Sequence, residues 1–89
     1  MAWRIEFERA AARELEKLDQ KSKERILLFL RDRVAPLDDP RSTGQALKGE
    51  RFGEFWRYRI GDYRVVGRIE DAETRIVVLR VGHRREIYR

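Results

Sequence analysis

Three alternating stretches, separated by short polar turns, constrain this chain most. Phe55 to Ile60 alternates Trp56, Tyr58 and Ile60 with Phe55, Arg57 and Arg59. Gly61-Asp62 follows, a residue pair of the kind that joins hairpin strands. Tyr63 to Glu70 then sets Arg64, Val66 and Arg68 against Tyr63, Val65 and Ile69. After a polar turn at Asp71 to Thr74, Arg75 to Val81 is the most apolar stretch, which places it inside a sheet, and Gly82 ends it. A period of two puts alternate residues on opposite faces. The second half of the chain is therefore read as an antiparallel three-stranded meander, with one apolar face and one face bearing arginines.

The first half changes period. Trp3, Ile5 and Phe7 alternate with charged residues as a half-buried strand would. From Arg9 to Leu18 the spacing becomes helical, with Ala11, Leu15 and Leu18 on one face. After a break at Asp19 and Gln20, Ser22 is read as the N-cap of a second helix running to about Val34. Ile26, Leu27, Leu30 and Val34 form its expected inner face. Pro36, Asp38, Asp39, Pro40 and Gly44 mark a loop ending near Leu47. The expected architecture is α+β: a strand, a two-helix hairpin and the meander, with both helices on one face of a largely antiparallel sheet. One helical layer leaves the other face partly open. At 89 residues, the chain is expected to form a single domain over 1–89.

Several chemistries are poorly served. There is no cysteine, which removes disulfides and thiolate metal sites, and one histidine is too few for an expected zinc site. No cofactor is expected. No glycine-rich phosphate loop is present. Ser22 and Ser42 are the only serines, and nothing favours a triad of Ser42 with His83. The longest apolar run, Ile26 to Leu30, is too short to span a membrane, and the first twelve residues lack a signal-peptide core. A cytoplasmic location without membrane attachment is the expectation.

Charge points towards an anionic partner. The net charge is +5, from 21 basic and 16 acidic residues. Residues 1–47 contribute +1 and residues 48–89 contribute +4. Beyond Lys48 every basic residue is an arginine, a planar fork that pairs bidentately with phosphate. Arg57 and Arg59 share one strand face, Arg64 lies within reach across the hairpin, and His83, Arg84, Arg85 and Tyr88 follow the last strand. Two readings stand side by side. Guanidiniums beside an aromatic ring suit single-stranded nucleic acid. A solvated sheet face whose arginines discourage association accounts equally for the same composition.

A family resemblance bears on that choice. Leu47-Lys48-Gly49, Trp56-Arg57-Tyr58-Arg59-Ile60, Gly61-Asp62-Tyr63-Arg64-Val65-Val66 and the ending from Val81 to Arg89 resemble the RelE branch of the RelE/ParE toxins. The opening strand and the helical hairpin fit as well, so the resemblance spans essentially the whole chain. It implies a type II toxin of microbial-ribonuclease-like fold that cleaves mRNA in the ribosomal A site without a metal. It also implies a RelB-like antitoxin that wraps and blocks the toxin, and contact with operator DNA only as the toxin–antitoxin complex.

By the same resemblance, Arg57 and Arg59 take the positions of two strand lysines of the best-known form. Arg64, Arg84 and Tyr88 match family catalytic positions, while His83 replaces a lysine. Arg57, Arg59, Lys48 and Arg85 are expected to hold RNA phosphates. An arginine keeps its proton at any working pH and is a poor base. Tyr88 and His83 therefore compete for proton transfer, and the residues do not choose between them. The rival functions are a ParE-like gyrase inhibitor without nuclease chemistry and a non-catalytic homologue acting in antitoxin binding and promoter autoregulation.

Overall fold

The computed structural model describes residues 2–47 and 54–87. Strand β1 (Arg4–Phe7) leads into helices α1 (Arg9–Glu16) and α2 (Gln20–Phe29). The chain then passes through a π-helical turn (Leu30–Val34) and a 3₁₀ turn (Pro40–Ser42). Strands β2 (Gln45–Ala46), β3 (Phe55–Ile60), β4 (Tyr63–Glu70) and β5 (Arg75–His83) complete it. They form one five-stranded sheet in the order β1-β5-β4-β3-β2, with β1 parallel to β5 and every other pair antiparallel.

The meander has the strand limits and faces that the alternation predicts for β3 and β4. Tyr58, Ile60, Val65 and Ile69 are buried with Ala11 and Leu15 of α1, Ile26 of α2, and Leu30 and Val34 of the π turn. Burying each large aliphatic side chain contributes about 1.5–3 kcal/mol. Arg57, Arg59, Arg64 and Arg68 alternate with these core residues and so project from the face away from the helices. The β4–β5 register slips between Val66 and Gly67, because Val66 faces Arg80 while Gly67 faces Val78. Leu79 is thus an extra residue, and the bulge keeps Ile76, Val78 and Val81 all in the core.

Four expectations are corrected. The second helix is capped by Asp19, whose carboxylate accepts from the Ser22 amide at 3.1 Å and the Ser22 hydroxyl at 2.7 Å. A carboxylate one turn earlier serves the free amides better than the hydroxyl of Ser22 does. Leu27 is 41% exposed and lies outside the inner face, since it sits 100° around the helix from the fully buried Ile26. Gly82 does not end the last strand, which pairs through His83 opposite Tyr63. Finally, the loop after Ser42 contains the edge strand β2.

Aromatic side chains with polar tips fasten that loop. Tyr58 is fully buried and donates from its hydroxyl to the Pro40 carbonyl at 2.7 Å. Burial pushes its phenol far above the ordinary tyrosine range, so it remains a donor. Trp56 donates from Nε1 to the Thr43 carbonyl at 2.7 Å, and Trp3 donates to the Asp38 carbonyl at 3.3 Å. These bonds set where Thr43, Gly44 and Gln45 lie beside β3.

Candidate nucleic-acid interface: an arginine cleft

An open cleft of about 680 Å³ lies at the β2 edge of the sheet. Arg57 and Arg59 of β3, Arg64 of β4, and Arg84 and Arg85 of the turn after β5 line it, with Thr43, Gly44, Gln45 and Phe29. Five guanidinium-bearing residues from three chain segments therefore meet in one hollow. Among the described residues no carboxylate lines it.

Each arginine is placed by its own local structure. Arg59 and Arg64 stand directly opposite each other in the β3–β4 ladder, and Gly82 faces Arg64 from β5 without a side chain to cover it. Arg64 is only 9% exposed. Its Nη1 donates to the carbonyls of Gly61 and Tyr63, both at 2.9 Å. Those bonds neutralise no charge, and among the described residues the N–H groups on Nε and Nη2 have no hydrogen-bond partner. Arg57 pairs in register with Gln45 and donates from Nη2 to its Oε1 at 2.5 Å. The Arg84 amide donates to the Asp62 carbonyl at 2.8 Å, and its half-exposed side chain stands 3.8 Å from the Asp62 carboxylate. Arg59 and Arg85 are exposed, and their side chains have no hydrogen bond or ion pair among the described residues.

Two glycines shape this edge. At Gly44 φ is +80°, and a β-carbon there would lie 2.4 Å from the Arg57 carbonyl oxygen. Only glycine lets the cleft wall approach β3 so closely. At Gly61 φ is +58°, as the hairpin turn demands, and the Arg25 guanidinium lies over its bare α-carbon.

Of the residues singled out from sequence, the structure brings together Arg57, Arg59, Arg64, Arg84 and Arg85. His83 is not among the residues lining the cleft. Its ring meets Tyr63 edge-on at 5.7 Å, and its Nδ1 accepts from the Arg85 amide at 3.2 Å. Lys48 and Tyr88 lie outside the described residues. Arg68, within reach of the same face by alternation, points away from the cleft to Glu70 at 2.9 Å. Phe29, Thr43, Gly44 and Gln45 were not foreseen. Phe29 falls outside the inner face expected for its helix, and a two-residue edge strand carries no periodicity. Among the described residues no three His, Cys, Asp or Glu side chains gather where a metal could bind.

Comparison with known proteins decides the family. The family model for the ParE toxin of the type II toxin–antitoxin system parDE matches residues 5–88. The chain belongs to the RelE/ParE family of type II toxins. It is 35% identical to the toxin RelG of Mycobacterium tuberculosis, over 100% of this chain and 99% of that one. The fold matches the toxin–antitoxin complex RelBE2 from M. tuberculosis with a TM-score of 0.79 and 28% identity, covering 93% and 92% of the two chains. It matches a mutant E. coli RelE bound to an antitoxin peptide with a TM-score of 0.73 and 26% identity, covering 93% and 84%. The archaeal RelE–RelB complex from Pyrococcus horikoshii gives a TM-score of 0.70 and 26% identity, covering 97% and 99%. The RelE-like fold foreseen from sequence is thus that of RelE/ParE toxins.

Proposed function

We propose that this toxin is a metal-independent endoribonuclease that cleaves mRNA in the ribosomal A site and so arrests translation in the cytoplasm. The observation that carries this reading is the cleft itself: Arg57, Arg59, Arg64, Arg84 and Arg85 converge where no carboxylate of the described residues lines the surface. RNA supplies the missing anions. In such a cleavage the ribose 2′-oxygen loses its proton to a base and attacks the adjacent phosphorus. The 5′-oxygen then leaves and takes up a proton. Charge builds on the pentavalent phosphorus between these events, and fixed guanidiniums stabilise it without reorganising. Arg64, held by two turn carbonyls, is the best pre-organised of the five for that task. Arg57 and Arg59 place flanking phosphates, and Arg84 stands where the resemblance expects leaving-group stabilisation. His83 lies outside the cleft lining with its Nδ1 accepting from the Arg85 amide, which favours Tyr88 as the base.

The solved relatives that contain RelB support a RelB-like antitoxin as this toxin's partner. Contact with operator DNA, by the complex only, is what the resemblance implies. Primer extension on ribosome-engaged mRNA tests the reading. The wild-type toxin is expected to produce cuts that Arg64→Ala, Arg84→Ala and Tyr88→Phe each suppress. Undiminished cutting by the Arg64 and Arg84 variants would remove the site.

A second reading, the ParE-like gyrase inhibitor, has one observation in its favour, namely that the matching family model is that of the ParE toxin of parDE systems. Inhibition of gyrase supercoiling by the purified toxin, without any mRNA cutting, would establish it in place of the nuclease.

A further inference from the structure

A second depression of about 310 Å³ adjoins the cleft and shares Arg59 and Phe29 with it. Arg25, Leu28, Asp32 and Arg33 of α2 and its π turn complete it, with Ile60 and Gly61. Its charge is unbalanced. Arg25 and Arg59 make no ion pair among the described residues. The one carboxylate, Asp32, is held by Arg31 at 2.8 Å, and that engagement holds it below the usual carboxylate range. Leu28, 47% exposed, and the half-buried Phe29 ring put apolar surface between the cations. The Phe29 ring is steadied against Tyr58 at 6.3 Å.

We propose that an RNA strand seated in the arginine cleft continues over Arg59 and Phe29 into this depression. There Arg25 and Arg33 take up a further stretch of phosphate backbone, while Phe29 offers its face to a base. The proposal rests on the nuclease reading of the cleft and extends the contact beyond the reacting phosphate. Three features support it: continuity of the two hollows through shared residues, three cations facing one carboxylate that Arg31 already engages, and an aromatic ring between them. This is the pattern by which proteins track single strands. Gly61 contributes by lacking a β-carbon, which lets the Arg25 guanidinium lie against the hairpin turn.

The test measures binding of 2′-O-methyl RNA to purified toxin by fluorescence anisotropy over a range of salt. A trinucleotide is compared with an oligonucleotide of about eight residues. The wild-type protein is expected to bind the longer strand more tightly and with a steeper salt dependence. An Arg25→Ala/Arg33→Ala double variant should bind the trinucleotide as the wild type does but lose the gain from length. Its salt slope should be shallower by about 0.7 for each phosphate released. Arg25→Lys/Arg33→Lys should restore much of the slope, which separates charge from folding. An unchanged length gain in the alanine variant overturns the proposal. So does an effect confined to an acidic peptide competitor, which would assign the depression to a protein partner. Failure of the wild-type toxin to bind either RNA overturns the cleft reading instead, and the extension with it.

Discussion

Two groups of arginines on this small toxin behave in opposite ways. Away from the cleft, Arg68 and Arg75 share Glu70, Arg75 also reaches Glu6, Arg41 holds Asp71 through two bonds, and Arg80 meets Glu14. These pairs turn potential phosphate ligands into fold-internal contacts. In the cleft, Arg57 donates to Gln45 and Arg64 to two carbonyls, the side chains of Arg59 and Arg85 have no hydrogen bond or ion pair among the described residues, and Arg84 looks towards Asp62 at 3.8 Å. One residue type thus serves stability in one region and remains available for an anion in the other. What separates them is the presence of an acidic side chain within reach, not the arginine itself.

The largest effect that can break this comparison is loss of Arg64. Removing a fixed donor from a developing oxyanion typically costs about 2.7–4 kcal/mol, or about 10²–10³ in rate. Arg64→Ala should lower mRNA cleavage by that factor in single-turnover assays, while Arg68→Ala should leave cleavage unchanged. Gly44→Ala comes next. Forcing a side chain into left-handed backbone costs about 1–2 kcal/mol, and the clash with the Arg57 carbonyl adds to it. Thermal melting should show the destabilisation, and RNA binding should weaken because the cleft wall moves. Tyr58→Phe leaves a buried Pro40 carbonyl without its donor. A loss of about 1–3 kcal/mol is expected in urea unfolding. Arg59→Ala should flatten the salt dependence of RNA binding by about 0.7 and leave the melting temperature in place.

The smallest effect belongs to the paired group. Arg75 and then Arg68 hold the Glu70 carboxyl below its usual range. A depressed folded pKa stabilises the fold above the unfolded value, about 4.3. That contribution fades as pH falls through the folded value. Glu70→Gln should therefore lower the melting temperature slightly at neutral pH and show less further loss than wild type between about pH 5 and pH 2. Cleavage at neutral pH should not change.

Much of the architecture is legible in sequence because it rests on local periodicity. Alternation alone assigns the faces of β3 and β4, and Gly61-Asp62 marks their turn. It also aligns Arg57 and Arg59, which needs nothing beyond a period of two. Their meeting with Arg64 needs the hairpin register, which the two-residue turn determines. The less legible features depend on contacts distant in sequence. The parallel partnership of β1 with β5 joins segments some seventy residues apart. Leu79 reads as an ordinary strand residue, yet its bulge is what keeps Val78 and Val81 on the same face. Phe29 falls outside the inner face expected for its helix, and only the open edge of the sheet brings it beside Arg59.

The most direct measurement is an NMR titration following the arginine Nε–H resonances as a 2′-O-methyl trinucleotide is added, since methylation blocks the attacking oxygen. The resonances of Arg57, Arg59, Arg64, Arg84 and Arg85 should move together and saturate at one equivalent, while those of Arg41, Arg68, Arg75 and Arg80 stay in place. Shifts spread over both groups, or confined to the second one, would contradict the central claim that the arginine cleft at the β2 edge is the RNA site.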